Sequence, residues 1–127
     1  MVGSLATLFG AQRMKGGDTA ILQALDRSEA IIRFDPDGYI RDANANFLAV
    51  VGYNHEQIVG QHHKRLVPDT VAQSQAYQKF WRDLARGEYR QGAFKRIAKD
   101  GSEVWLQASY NPIRDRHGRV AEVVKFA

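Results

Sequence analysis

The stretch from residue 31 to residue 53 limits the possible folds of this chain more than any other part of it. A short apolar run is followed by the turn sequence Asp-Pro-Asp-Gly at 35–38. The proline presets φ and the glycine accepts positive φ, so the turn joins two short strands into a hairpin. An apolar helix follows, which Asp42 or Asn44 can cap and which ends at Gly52.

The rest of the chain is predicted to form a long helix and three strands. Apolar residues recur at helical spacing between Thr70 and Ala85, which predicts a single helix there. Strands are predicted at 88–98, 103–113 and 119–127, with turn signals between them. Two strands, then helices, then three strands is an α+β pattern.

The N-terminal region divides into two predicted parts. Residues 1–17 form a flexible or helical segment that ends in Lys-Gly-Gly. Residues 18–127 form the domain itself, which begins with a flanking helix bearing Leu22 and Leu25.

Composition excludes several classes of protein. A chain of 127 residues is one domain, and without cysteine it has no disulfide and no thiolate metal site. No apolar run approaches the roughly 18 residues of a membrane span, and no secretory signal is evident, so we expect a cytoplasmic location. The net charge of +4 comes from basic residues scattered among acids, which favours a solvated surface over nucleic-acid binding.

No catalytic motif is present. The sequence has no nucleophile elbow, phosphate-binding loop or His-Glu-x-x-His motif, so we expect a binding module and not an enzyme. His55 and His117 fall in predicted turns, which leaves the adjacent His62 and His63 as the informative pair.

Alternation assigns the faces of the predicted strands. Val104, Leu106, Ala108 and Tyr110 share the inner face of the strand 103–113. Trp105 takes the outer face, where the N-terminal helix or a second chain can cover it. Arg96 shares a face with Phe94, and turned inward it requires an anion such as a propionate or phosphate; alternatively it lies at the strand end in solvent. The predicted core contains Phe34, Ile40, Phe47, Leu48, Ile58, Phe80, Val104, Leu106 and Val124.

The chain from about Leu25 to Ala127 resembles a PAS sensor domain. The resemblance rests on four motifs: Asn44-x-Asn46-Phe47, Gly52-Tyr53-x-x-Glu56-x-Ile58-x-Gly60, Lys99-Asp100-Gly101-x-x-x-Trp105 and Asn111-Pro112-Ile113-Arg114-Asp115. It is most similar to the PAS modules of soluble bacterial chemoreceptors (methyl-accepting chemotaxis proteins) and energy-taxis transducers. That resemblance implies a five-stranded antiparallel sheet with short helices on one face. It also implies a pocket that senses redox state, oxygen or a small ligand, a homodimer, and a downstream signalling domain in a longer receptor.

The resemblance also implies a cofactor site. In flavin-binding light-sensing PAS domains, the loop matching residues 60–66 carries a cysteine that faces the bound ring. Residue by residue, His63 takes the position of that cysteine and Lys64 that of a phosphate-contacting arginine. The missing cysteine excludes the photochemical adduct, and an inward imidazole suits the iron of haem b. We therefore predict that His63, rather than His62, contacts a bound cofactor.

The full predicted cofactor-binding set is His63, Lys64, Arg96, Leu106, Tyr110 and Asn46, with His63 as the metal ligand. Two alternatives stay open: a redox sensor that carries flavin adenine dinucleotide (FAD), and a ligand-free dimerisation module. Asn46 also has a structural interpretation, because Asn44 and Asn46 resemble the PAS asparagines that tie the helix to the hairpin.

Overall fold

The computed structural model describes residues 16–127; the first 15 residues, which hold most of the predicted N-terminal segment, lie outside the described residues. The strands are β1 Ile31–Phe34, β2 Ile40–Ala43, β3 Arg90–Ile97, β4 Glu103–Arg114 and β5 Val120–Phe126. The helices are α1 Gly16–Ser28, α2 Ala45–Val51, α3 His55–Ile58, α4 Asp69–Ala72 and α5 Gln75–Ala85, with a 3₁₀ helix at His63–Leu66. The predicted order of two strands, helices and three strands is confirmed.

The five strands form one antiparallel sheet in the order β2-β1-β5-β4-β3. The last strand of the chain, β5, therefore lies in the middle of the sheet, between β1 and β4. Tyr110 of β4 is directly opposite Lys125 of β5, so their side chains point to the same face of the sheet. The α+β fold class predicted from the sequence is confirmed.

Side-chain hydrogen bonds and one glycine set the geometry of the opening hairpin and its helix. Asp35 accepts two backbone N–H bonds inside the turn, where Gly38 adopts a φ of +96°. Asn44 caps α2 by accepting from the Phe47 N–H at 3.0 Å. Of the two predicted caps, Asn44 is therefore the one used.

The single helix predicted between Thr70 and Ala85 is wrong in one respect. The segment contains two helices, α4 and α5, which break at Ser74. The Ser74 side chain accepts from the Tyr77 N–H at 3.1 Å and starts α5 afresh. The apolar spacing continues across the break, whereas the capping serine marks a helix start that periodicity alone does not detect.

The main core lies between the inner face of the sheet and the helices α2 to α5. Its buried members include Ile32, Phe34, Ile40, Phe47, Ile58, Leu66, Trp81, Leu84 and Tyr110. Leu48, Phe80 and Leu106 pack against this core but are only partly buried, and Val104 is likewise partly exposed. The prediction that these four would be largely buried is therefore too strong.

A second, smaller cluster lies on the outer face of the sheet. Ile31 and Val124 are fully buried there beneath Leu22 and Leu25 of α1. The assignment of Val124 to the main core is wrong, because alternation along β5 sends Val123 inward and Val124 outward. α1 does not cover Trp105, which is 66% exposed. Within residues 16–127, no helix is long and apolar enough to cross a membrane.

Candidate functional site

Aromatic side chains from four parts of the fold converge on Tyr110 inside the main core. The Tyr110 ring centroid lies 4.9 Å from that of Phe80, 5.2 Å from Phe94, 5.8 Å from His63 and 6.4 Å from Phe34. These rings come from α5, β3, the 3₁₀ helix and β1. They fill the space between the helices and the inner face of the sheet.

His63 sits in this interior with both ring nitrogens occupied. Its Nδ1 is 2.7 Å from the Tyr77 hydroxyl and its Nε2 is 3.0 Å from the Tyr110 hydroxyl. Burial lowers the pKa of His63 well below 6.5, and the nearby cations Arg96 and Lys125 lower it further. The imidazole is therefore neutral, with one nitrogen donating and the other accepting.

The proton positions follow from the partner of Tyr110. Arg96 donates from Nη2 to the Tyr110 hydroxyl at 2.9 Å, so we assign the Tyr110 O–H as donor to His63 Nε2. His63 Nδ1–H then donates to Tyr77. We call His63, Tyr77, Arg96 and Tyr110 the interior network.

His62 points away from this network. Its Nδ1 accepts from the Lys64 N–H at 3.0 Å, and its Nε2 donates to the Asp37 carbonyl at 2.8 Å. The structure thus turns His63 inward and keeps His62 at the surface, as the sequence suggested. That His63 contacts a cofactor stays a prediction.

Arg96 is buried, with 6% of its surface exposed. Besides Tyr110, it donates from Nη1 to the Lys95 carbonyl at 2.9 Å, while its Nε finds no partner among the described residues. The alternative that Arg96 lies in solvent at the strand end is wrong. Alternation along β3 governs its direction, and the strand continues to Ile97.

Lys125 is a functional candidate that the sequence analysis missed. Its side chain is fully buried, and its Nζ makes no hydrogen bond of ordinary geometry within residues 16–127, although Tyr110 lies close enough to stabilise the charged form. The ammonium faces the ring of Tyr110 at 4.9 Å and that of Phe47 at 5.6 Å. Burial lowers its pKa from 10.5. Alternation along β5 puts Lys125 on the face of Val123 and opposite that of Val124, so the mistaken assignment of Val124 to the main core concealed it.

The interior therefore holds two cations without a carboxylate. Asp83 is the buried acid of the described chain, and it pairs with Lys79 at 2.7 Å, with Arg86 at 2.5 Å and with Arg90. The hydrogen bond from Lys79 is the main cause of the lowered pKa of Asp83. No described acid forms an ion pair with Arg96 or Lys125, so nothing in the described chain balances their charge.

The remaining predicted site residues do not all lie near His63 and Tyr110. Leu106 packs at the margin of the main core, opposite Phe94 in the β3–β4 pair. Lys64 is exposed beside an open surface cleft of about 740 Å³. Asn46 donates to the carbonyls of Asp26 and Glu29 at 3.0 Å each, which ties α2 to the end of α1. The structure thus brings His63, Arg96 and Tyr110 to the interior and places Leu106 at its margin. Lys64 and Asn46 lie outside it.

The interior, as arranged, does not fit a haem or a flavin. The two tyrosine hydroxyls leave neither nitrogen of His63 free for iron. The packed rings of Phe80, Phe94 and Tyr110 occupy the space that a planar macrocycle or a three-ring system would need. Within residues 16–127, no three His, Cys, Asp or Glu side chains cluster as metal ligands. The structure therefore gives no support to the predicted haem ligation by His63.

The chain matches one family model and is similar to individual known proteins. Residues 26–127 match the family model described as the PAS fold. The biofilm dispersion protein BdlA of Pseudomonas aeruginosa is 50% identical over 106 residues, covering 84% of this chain and 25% of that protein. The aerotaxis receptor of Escherichia coli is 31% identical over 87 residues, covering 68% of this chain and 17% of the receptor. The chain spans a quarter or less of the length of these two relatives.

Solved structures show the same architecture. A light-oxygen-voltage domain studied with a flavin analogue superposes with a TM-score of 0.68 at 25% identity, covering 88% of this chain and 85% of that one. A PAS domain from Colwellia psychrerythraea superposes with a TM-score of 0.71 at 22% identity, covering 84% and 91%. The second likeness, at its lower identity, concerns the fold alone.

Proposed function

Because the chain belongs to the PAS family, we propose that it is the sensory input domain of a chemotaxis or energy-taxis receptor. Membership of this family makes it a signalling module and not an enzyme, in agreement with the sequence. The names of the relatives, a biofilm dispersion protein and an aerotaxis receptor, support this role. In our proposal the domain responds to a small ligand in its interior and passes the response to the rest of a longer protein.

The observation that carries the proposal is the position of β5. Lys125 faces the interior, whereas its neighbour Val124 packs on the outer face beneath Leu22 and Leu25 of α1. Adjacent residues of one strand thus contact the candidate ligand site and the flanking helix. A change on one face of β5 is therefore transmitted to the other without any intermediate element.

The expected mechanism is a shift between two packing arrangements. A ligand that interacts with Lys125 or Tyr110 alters how β4 and β5 sit against the helices. The outer cluster then repacks, and α1 moves or loosens. The ligand shifts this equilibrium only by its difference in affinity for the two arrangements.

Hydrogen–deuterium exchange tests the transmission. The natively purified chain is first examined by native mass spectrometry for a bound small molecule, and exchange is then compared between loaded and stripped protein. We expect exchange to change in α1 and β5 together. A ligand that alters exchange in the interior strands but leaves α1 unchanged would contradict this function.

Flavin-dependent redox sensing is a second candidate. It is favoured by the superposition on a light-oxygen-voltage domain at 25% identity. It requires the rings around Tyr110 to adopt a different arrangement from the one described. Absorbance of the purified protein distinguishes the cofactors, because a bound flavin gives moderate visible bands whereas haem would give an intense Soret band. A colourless protein without flavin in its denatured supernatant would exclude this candidate.

We further propose that the domain acts in the cytoplasm, as a homodimer joined to a downstream signalling domain. The lengths of the relatives support such a multi-domain context, since this chain matches only 25% of the biofilm dispersion protein and 17% of the aerotaxis receptor.

A further inference from the structure

We propose that the interior binds a small organic carboxylate between Arg96 and Lys125. This rests on the proposed sensory function and names the class of ligand. Both cations lie against the same aromatic ring, with the Arg96 Cζ 5.9 Å and the Lys125 Nζ 4.9 Å from the Tyr110 centroid. Two buried cations beside one ring, with no acid to pair them, form an incomplete electrostatic arrangement that an anion would complete.

The unused donors show where the anion would bind. Lys125 Nζ and Arg96 Nε are both buried and make no hydrogen bond of ordinary geometry among the described residues. The other Arg96 nitrogens are already engaged with Tyr110 and the Lys95 carbonyl, which holds the guanidinium in place. A carboxylate has two oxygens that can accept from two such donors at once.

The surroundings of the cations favour an organic carboxylate over an inorganic oxyanion. The Lys125 Nζ lies 5.6 Å from the centroid of the Phe47 ring. The Arg96 Cζ lies 5.1 Å from the centroid of the Phe94 ring. These surfaces suit a ligand with an apolar body and a single anionic head. A free phosphate dianion would have to lose its hydration among aromatic rings without donors for all its oxygens.

Phe94 and Leu106 are the side chains expected to admit the ligand. Both are only partly buried and pack on the margin of the main core, in the β3–β4 pair that also carries Arg96 and Tyr110. In this proposal a rotation of these two side chains opens the interior and leaves the interior network in place. The open arrangement would then be a minor conformation that the ligand selects.

Calorimetric titration of the purified chain tests the ligand class. The probes are butyrate and benzoate, with benzamide as the neutral match of benzoate and with inorganic phosphate and chloride as simple anions. We expect a carboxylate to bind saturably and benzamide not to bind. Lys125→Met should weaken carboxylate binding roughly ten- to hundredfold, since it removes a charge-assisted hydrogen bond.

Lys95→Met is the matched control, because Lys95 is the neighbour of Arg96 but pairs with Glu103 at the surface at 3.2 Å. Its carboxylate affinity should equal that of the wild type. Near-ultraviolet circular dichroism confirms that each variant keeps its packing. Equal binding to wild type and Lys125→Met, binding of benzamide as tight as that of benzoate, or binding of phosphate or chloride alone would each overturn the proposal, as would no binding of any probe.

Hydrogen–deuterium exchange separates this inference from the proposed function. If a carboxylate binds through Lys125 while exchange in α1 stays constant, the ligand site stands and the sensory transmission fails. If no carboxylate binds but another bound molecule changes exchange in α1, the transmission stands and the carboxylate assignment fails.

Discussion

At the scale of single residues, Lys125 is the side chain whose burial costs the most stability. A fully buried ammonium costs folding free energy, because its contact with Tyr110 offsets only part of the desolvation. Methionine has a similar length and carries no charge. We expect Lys125→Met to raise the free energy of unfolding by about 1–3 kcal/mol at neutral pH, as measured by chemical denaturation.

The pH dependence of that difference checks its cause. Burial lowers the pKa of Lys125 from 10.5, so the folded state binds fewer protons than the unfolded state just below that value. The penalty therefore decreases as the pH rises towards 10.5. The difference in free energy of unfolding between wild type and Lys125→Met should therefore shrink as the pH rises. A difference that is constant with pH would mean that packing, and not charge, is responsible.

His63 stabilises the fold in its neutral form. In His63→Phe a ring remains, but the hydroxyls of Tyr77 and Tyr110 each lose a partner. We expect a loss of about 1–3 kcal/mol, mainly from the Tyr77 hydroxyl, because the Tyr110 hydroxyl keeps its hydrogen bond from Arg96. Denaturation above pH 6.5, where the wild type has its full stability, measures this loss.

The lowered pKa of His63 predicts that the protein loses stability in acid. The pKa of His63 is lowered well below 6.5, so the unfolded chain takes up a proton at this site before the folded chain does. Stability from the neutral ring is present above 6.5 and is lost as the pH falls below it. The difference in free energy of unfolding between wild type and His63→Phe should narrow over that range; a difference that stays constant with pH would contradict the role of the neutral ring.

At the scale of elements, α1 depends on its contact with the sheet. Leu22 and Leu25 cover Ile31 and Val124, whereas Ile21 of the same helix is 62% exposed. Leu25→Ala should lower the free energy of unfolding by about 1–2 kcal/mol, less than for a fully buried leucine. Hydrogen–deuterium exchange of the α1 amides should become faster in the same variant. Ile21→Ala is the control, and an equal effect of both substitutions would show that helix propensity, not packing, is being measured.

The break between α4 and α5 rests on one hydroxyl. Ser74 accepts from the Tyr77 N–H and begins the helix that carries Tyr77 and Trp81 into the core. Ser74→Ala should cost about 1 kcal/mol, and Ser74→Asp should retain most of the stability. Thermal denaturation of the two variants checks this; an aspartate that destabilises as much as alanine would contradict the capping role.

At the scale of the whole molecule, association stays a prediction. Of the three residues predicted to form an outer apolar surface, Leu22 and Leu25 are already used within the chain and Trp105 remains 66% exposed. If the chain forms a homodimer across the sheet, Trp105→Ser should weaken it. Sedimentation over a range of concentrations measures the dissociation constant; an unchanged constant would mean that a dimer, if present, uses another face.

The sequence by itself determined the order of the elements and the direction of many side chains. Local rules sufficed there: turn residues fixed the opening hairpin, and alternation turned Tyr110 inward. Alternation also put Arg96 on the face of Phe94, but it left open whether Arg96 points inward or lies in solvent. The motif match gave the fold class, and it also gave the inward orientation to His63 over His62.

Only the tertiary structure decided what those side chains meet. Arg96, Tyr110 and Lys125 come from three different strands, and their proximity depends on the register and on β5 lying in the centre of the sheet. The hydroxyls that occupy both nitrogens of His63 come from residues 14 and 47 positions away, so no local pattern reveals them. Because ligand chemistry depends on such convergence, the sequence suggested a haem ligand where the structure places a neutral histidine beside two unpaired cations.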